Sequence, residues 1–160
     1  MCSSDLGGAA VLPVDARLPV AAARALIARA RPTLLLSEDG AARFDGAEGD
    51  AELGFLVATS GTSGEPRLVE HTRASADAAI AMCDAALDLD AATRWLCCLP
   101  VAHVGGLLVA LRHATIGAHV EVHPRFGVDA FAASDADAVS IVPTMLHRLV
   151  EAGEIGRAHV

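Results

Sequence analysis

The sequence predicts an α/β domain in which a partial parallel sheet is flanked by helices. Apolar runs of strand length recur along the chain, and segments with helical periodicity separate most of them. Strands that are apolar on both faces are typical of parallel sheets covered by helices on both sides. With 160 residues the chain has the size of one domain, and it contains no internal repeat.

The first half of the chain is predicted to contain three strands and one helix. The strands are expected at residues 9–14, 33–37 and 53–59, and residues 38–50 are expected to form a Gly- and acid-rich surface connection. Pro19 suits the first turn of a helix. This helix is expected to end near Ala30, because Arg31-Pro32 follows it. One face of this helix should carry Val20, Ala23, Ile27 and Ala30.

The second half of the chain is predicted to form an extended piece followed by alternating helices and strands. The extended piece is residues 67–71, and Thr72 is the expected N-cap of a helix that reaches about Leu89. Acidic residues and Arg73 should share one arc of this helix, leaving Ile80, Met82, Cys83 and Leu87 for packing. Strands then follow at 94–99, 118–123 and 138–142, with helices at 105–115 and 143–152 and a solvated connection at 129–137.

Composition excludes several functions. The formal net charge of −8 argues against a nucleic-acid or anionic-membrane surface. Hydrophobic residues make up 53% of the chain, yet no apolar run has the length of a membrane span. No secretory signal is visible, and the four cysteines have no C-x-x-C spacing, so reduced thiols and a cytoplasmic location are expected.

The most informative segment is Thr-Ser-Gly-Thr-Ser-Gly-Glu-Pro-Arg at residues 59–67, directly after an apolar strand. Glycines let a backbone curl around a ligand, and hydroxyl and N–H groups then donate hydrogen bonds to an anion. Arg67 would add a positive charge, so the pattern favours a polyphosphate site. It is not the common P-loop, because Pro66 stands where that motif needs its second glycine. The alternative is a solvated Ser/Gly/Thr turn between two strands.

This segment resembles the phosphate-binding signature of the adenylate-forming superfamily, which includes acyl-CoA synthetases and peptide-synthetase adenylation domains. Residues 99–107 (LPVAHVGGL) resemble the family's L-P-x-x-H-x-x-G block, and residues 140–146 (SIVPTML) resemble its V-P-T-x-L junction. The three blocks follow the family's order and spacing. The resemblance implies a fragment of the large N-terminal domain, because the family's enzymes are several times longer.

The resemblance also implies chemistry. Such enzymes use Mg-ATP to convert a carboxylic acid to an acyl-adenylate, which a thiol, typically coenzyme A, then captures. The residues matching the phosphate signature are Thr59, Ser60, Gly61, Thr62, Ser63, Gly64 and Arg67, where Arg67 replaces the usual lysine. His103 matches the histidine at the meeting point of carboxylate and α-phosphate, and Gly105 and Gly106 would leave room for the acyl group. Taken alone, His103 would be read as a helix-capping or exposed histidine, and only the three blocks together favour the ligand role.

Several functions remain open within and beyond this family. The sequences of residues 99–107 and of the Arg-Phe-Gly-Val-Asp run at 125–129 most resemble those of o-succinylbenzoate–CoA ligases of menaquinone synthesis. A general acyl- or aryl-CoA synthetase, an adenylation domain loading a carrier protein and an inert nucleotide-binding module are the alternatives. The family's adenylation lysine has no counterpart here, because all twelve basic residues are arginine. The fragment itself is therefore expected to be inactive.

Both ends are expected to lie outside the domain, which would span residues 7–153. Cys2 to Leu6 can be encoded by DNA containing GCTCTTCCGATCT, and Ile155 to Ala158 by DNA containing AGATCGGAAGAGC, the reverse complement. Such a pair is typical of sequencing adapter at the two ends of an assembled read. Residues 1–6 and 154–160 are accordingly interpreted as adapter-derived, against the alternative of ordinary polar termini.

The remaining candidate side chains have structural interpretations. His119, Glu121 and His123 lie at period two on a predicted strand, a spacing that can hold a metal, but a solvated strand face is favoured and no metal site is predicted. Cys97, Cys98 and Trp95 are expected in the core.

Overall fold

A computed structural model describes residues 9–47, 50, 52–59 and 66–154 of the chain. These residues fall into two compact units that meet in sequence between Arg73 and Ala74. The α/β class is confirmed, because a parallel sheet and helices are both present. Within the described part, no helix is both long enough and apolar enough to cross a membrane.

The first unit contains one helix and two antiparallel strand pairs. Helix α1 is Val20–Ala30, and Arg31 ends it in the left-handed conformation with φ 48°. Strands β1 (Leu34–Ser37) and β2 (Gly40–Arg43) form a hairpin. Strands β3 (Leu53–Thr59) and β4 (Arg67–Thr72) form the second pair, with Phe55 and Val57 buried.

Three expectations for this unit are corrected by the structure. The predicted strand at residues 9–14 is only a single bridge from Val11 to Phe55, because Pro13 has no N–H with which to extend a ladder. The predicted connection at 38–50 contains strand β2, which starts at Gly40 directly after the two-residue Glu38-Asp39 turn. Gly40 has a φ of 126°, a conformation that favours glycine. In α1 the buried residue is Leu26, whereas Val20 is 68% exposed in the first turn.

The second unit is built on a three-stranded parallel sheet of order β6-β5-β7. Its strands are β5 (Trp95–Cys97), β6 (Val120–Val122) and β7 (Ala138–Val139). Its helices are α2 (Arg73–Leu87, which starts at the unit boundary), α3 (Val104–Ile116), α4 (Val128–Ala133) and α5 (Pro143–Glu151). Central strand β5 is fully buried, and α3 packs against β5 and β6.

Three expectations for the second unit are corrected by the structure. The connection at 129–137 begins with helix α4 instead of being solvated throughout, since a short apolar turn around Phe131 forms. In α2, Met82 is 72% exposed and Leu87 56% exposed, while Ala76 and Ile80 are buried. At about 100° per residue Met82 lies roughly 200° from Ile80, so both cannot face the core. Strand β7 is shorter than the predicted 138–142.

Candidate active site

The predicted phosphate loop connects two paired strands. Ser60, Gly61, Thr62, Ser63 and Gly64 lie outside the described residues, so their prediction is untested. Thr59 is the last residue of β3, Arg67 is the first of β4, and the two are direct cross-strand partners. The Thr59 hydroxyl donates a 3.5 Å hydrogen bond to the Arg67 carbonyl oxygen. The loop is therefore closed at its base by a strand pair, with both flanking residues exposed to solvent.

His103 lies at the N-cap of α3, in the second unit. Its backbone is extended (φ −110°, ψ 146°), its N–H donates to the Pro100 carbonyl at 3.0 Å, and its carbonyl accepts from Leu107 at 2.9 Å. The side chain is exposed and makes no capping hydrogen bond. The imidazole is therefore not committed to capping the helix, which leaves it available to a ligand near the α3 N-terminus.

The two glycines after His103 have different surroundings. A Cβ at Gly106 would lie 2.5 Å from the Pro100 carbonyl oxygen and 2.6 Å from that of Leu99, so this residue must be glycine for α3 to approach the loop. A Cβ at Gly105 would meet only the end of the Leu99 side chain, at 3.2 Å. Gly105 also lines a cavity of about 120 Å³, whereas the space beside Gly106 is taken by backbone. The predicted acyl role of both residues stays a prediction.

That cavity contains a charged residue that the sequence analysis missed. Arg112 is 3% exposed and forms a salt bridge with Asp84, whose side chain is 14% exposed. The guanidinium lies over the Trp95 ring, 4.1 Å from its centroid. Trp95 Nε1 is buried and has no hydrogen-bond partner within the described part of the chain. The sequence signal for this buried charge was the arginine at the end of the apolar run in α3.

Within the set His119, Glu121 and His123, the Glu121 carboxylate is bonded to His123 and also to Ser134, which lies outside the set. Glu121 Oε1 lies 2.6 Å from His123 Nε2, and its other oxygen accepts a 2.8 Å hydrogen bond from the Ser134 hydroxyl. These bonds hold the pKa of Glu121 below its ordinary value, and the bond from Ser134 has the largest effect. Among the described residues no three His, Cys, Asp or Glu side chains are grouped so as to hold a metal ion.

The core assignments for Trp95, Cys97 and Cys98 are confirmed. Trp95 and Cys97 cluster with Val109, and Cys98 is 3% exposed. Burial raises the pKa of both thiols, so they are poor nucleophiles. Asp77 and Asp84, expected on a polar arc of α2, instead contact Thr115 and Arg112 of α3.

Comparison with known proteins identifies the family. The model for AMP-binding enzymes matches residues 44–159. Malonate–CoA ligase of Arabidopsis thaliana is 35% identical over 116 residues, covering 62% of this chain and 19% of the relative. The 2-succinylbenzoate–CoA ligase of Bacillus pumilus is 32% identical over 99 residues, covering 59% and 20%.

A solved structure agrees with these relatives. O-succinylbenzoate coenzyme A synthetase (MenE) from Bacillus subtilis, in complex with ATP and magnesium ion, superimposes with a TM-score of 0.57 at 28% identity. The match covers 69% of this chain and 25% of the B. subtilis chain. The chain thus spans about a fifth of the length of the curated relatives it matches. Because the family model covers well over half of the sequence, the chain belongs to the AMP-binding enzyme family.

Proposed function

We propose that this chain is part of an acid–thiol ligase that activates a carboxylic acid with ATP and transfers it to coenzyme A. In the first half-reaction a carboxylate oxygen attacks the α-phosphorus of ATP, and the bond to the β-phosphate oxygen breaks. This yields acyl-adenylate and pyrophosphate. In the second, the coenzyme A thiol loses its proton and attacks the acyl carbon, forming a thioester and releasing AMP.

The observation that carries this proposal is the closed base of the phosphate loop. Pairing of Thr59 with Arg67 holds both ends of a segment whose side chains are mainly hydroxyls and glycines. Such a segment offers N–H and O–H donors without a competing charge except that of Glu65, and Arg67 at its end supplies the positive charge. These donors fit the β- and γ-phosphates of ATP, with Mg²⁺ carried by the phosphates and no ligand assigned from this chain.

His103 is assigned to the acyl side of the reaction. Its exposed imidazole at the start of α3 can orient the substrate carboxylate or donate a hydrogen bond to the oxyanion that develops on it. The α3 N-terminus adds a favourable partial charge at the same place. The chain's part is therefore to position the reactants and neutralise charge, which are the main contributions to a phosphoryl-centred displacement.

The acid and the final acceptor form the finer part of the proposal. The names of the B. pumilus and B. subtilis proteins favour o-succinylbenzoate and hence menaquinone biosynthesis, while the A. thaliana name favours malonate. A carrier protein in place of coenzyme A is the second candidate. Use of ATP and the free thiols of Cys83, Cys97 and Cys98 favour the cytoplasm.

Acid-dependent exchange of labelled pyrophosphate into ATP tests the proposal in the enzyme that carries this chain. We expect exchange with one acid of a panel, and thioester only when coenzyme A is added. Absence of exchange with every acid of the panel would support an inert nucleotide-binding module, and acylation of a carrier protein alone would favour the second candidate. The 160-residue chain on its own should show no exchange, since it has no lysine for adenylation.

A further inference from the structure

The Cys97 thiol connects the end of β5 to the first turn of α3. Cys97 is the last residue of β5 and is 2% exposed. Its Sγ lies 3.7 Å from the Leu99 carbonyl oxygen and 3.6 Å from the Gly106 carbonyl oxygen, and a thiol is a weak hydrogen-bond donor. Burial raises the pKa of this thiol, so it keeps the proton that the two carbonyls can accept.

The backbone held by this thiol includes the turn that carries His103. The His103 N–H donates to the Pro100 carbonyl at 3.0 Å, which closes a turn over residues 100–103. Leu99 precedes this turn, and Gly106 lies three residues after His103 in α3. The carbonyl oxygens of Leu99 and Pro100 lie only 2.6 and 2.5 Å from where a Cβ on Gly106 would be, so the helix and the turn are in close contact. Backbone on both sides of His103 is therefore bonded to one buried thiol.

The His103 imidazole depends on this backbone for its position. The side chain is exposed and makes no capping hydrogen bond. A small displacement of the turn would therefore be passed on to the ring. Displacing a catalytic group by about 1 Å can lower a rate by roughly a hundredfold.

We infer that Cys97 is a positioning residue for His103, because its thiol bonds to the carbonyls of Leu99 and Gly106 and so fixes the turn from which the imidazole reaches the substrate. Cys97 acts through the backbone and does not contact the substrate. The catalytic part of this inference rests on the proposed function, whereas the bonds from the thiol to the turn do not.

The test compares Cys97→Ala with Cys97→Ser in the enzyme that carries this chain. The two replacements have similar volumes, but only serine keeps a donor. We expect Cys97→Ala to lower kcat for acid-dependent pyrophosphate exchange by about tenfold, with KM for ATP changed by less than about twofold. KM should hold because the predicted phosphate loop lies between β3 and β4 of the first unit. Cys97→Ser should retain most of the kcat.

Cys98→Ala is the matched control. The Cys98 thiol is 3% exposed, but it lies 3.9 Å from the Ser140 carbonyl, which follows β7. This variant should keep its kcat. Equal losses of kcat in Cys97→Ala and Cys98→Ala would indicate a purely structural role and overturn the inference, as would equal kcat values for Cys97→Ala and Cys97→Ser. Cys97→Val, which removes the donor without opening a cavity, takes the place of Cys97→Ala if that variant does not fold.

Amide hydrogen exchange of residues 99–107 separates this inference from the proposed function, because it needs no turnover. Exchange should be faster by about fivefold or more in Cys97→Ala and unchanged in Cys98→Ala. If the enzyme shows no pyrophosphate exchange with any acid, the ligase is refuted, and the amide result still decides whether the thiol holds the turn. A normal kcat in Cys97→Ala would refute the positioning role and leave the ligase standing.

Discussion

The Arg112 guanidinium lies 4.1 Å from the centroid of the Trp95 ring, so that a buried cation is stacked on a buried indole. Asp84 completes this arrangement from α2. A helix of otherwise apolar character, a central strand and a neighbouring helix are thereby joined through one charged contact.

Arg112→Met should destabilise the protein by about 3 kcal/mol, because it leaves the mostly buried Asp84 carboxylate without its partner. The free energy of unfolding from urea titration measures this. Arg17→Met is the control, since the Arg17 to Asp15 pair has an arginine that is 69% exposed. Such surface pairs contribute little to stability, so the control should have a much smaller effect. Equal effects of both substitutions would contradict the account.

Leu149→Ala should lower the free energy of unfolding by about 3 kcal/mol, because the Leu149 side chain is fully buried and its removal leaves a cavity. Val150→Ala, on the same helix but 49% exposed, should change it by no more than about 0.5 kcal/mol. Thermal or urea unfolding of the two variants makes the comparison. Similar values would mean that α5 does not pack as described.

Gly106→Ala and Gly105→Ala should differ in sign or size. Alanine favours a helix interior over glycine by about 1 kcal/mol. At Gly106 the new Cβ would clash with the carbonyls of Leu99 and Pro100, so we expect a net loss of about 2 kcal/mol. At Gly105 only a flexible leucine end must move, so the change should be near zero or stabilising. A tolerated alanine at 106, measured by urea unfolding, would refute the close approach of α3.

The acid side of the pH–stability profile should depend on Glu121. Its pKa is lowered from the ordinary 4.5, first by the Ser134 hydroxyl and then by His123. A carboxyl with a lower pKa in the folded state contributes stability that is complete above its unfolded pKa and lost as the pH falls through the folded value.

Glu121→Gln should therefore flatten the fall in stability as the pH drops below about 5. Ser134→Ala should flatten it in the same way, because it removes the larger cause of the shift. Urea midpoints recorded across this range provide the measurement. A slope unchanged in both variants would show that this carboxyl is not perturbed.

Sequence patterns were sufficient where local signals and packing agree. Strand β3 has the predicted bounds, since its apolar run is interrupted only at the Gly/Ser loop. The bounds of α1 and α3 were predicted within one residue, and for α1 the entry is marked by Pro19. The first hairpin was not predicted, although Gly40 directly follows its Glu38-Asp39 turn in the sequence.

Contacts between distant parts of the chain could not be predicted in this way. The burial of Arg112 depends on Asp84 of another helix and on the Trp95 ring, and periodicity within α3 gives neither partner. The same holds for Glu121, whose partner Ser134 follows α4. For the candidate site, motif spacing placed His103 at the start of α3, but the difference between Gly105 and Gly106 required the positions of the Leu99 and Pro100 carbonyls.

The affinity for ATP of the enzyme that carries this chain, measured by calorimetry, tests the central claim most directly. Replacing Thr62 and Gly64 together by alanine and valine should weaken ATP binding by roughly tenfold or more, because hydroxyl and close backbone donors to the phosphates are lost. Thr93→Ala, in a turn away from the loop sequence, should leave the affinity unchanged. An undiminished affinity in the loop variant would contradict the assignment of this segment to the phosphates of ATP.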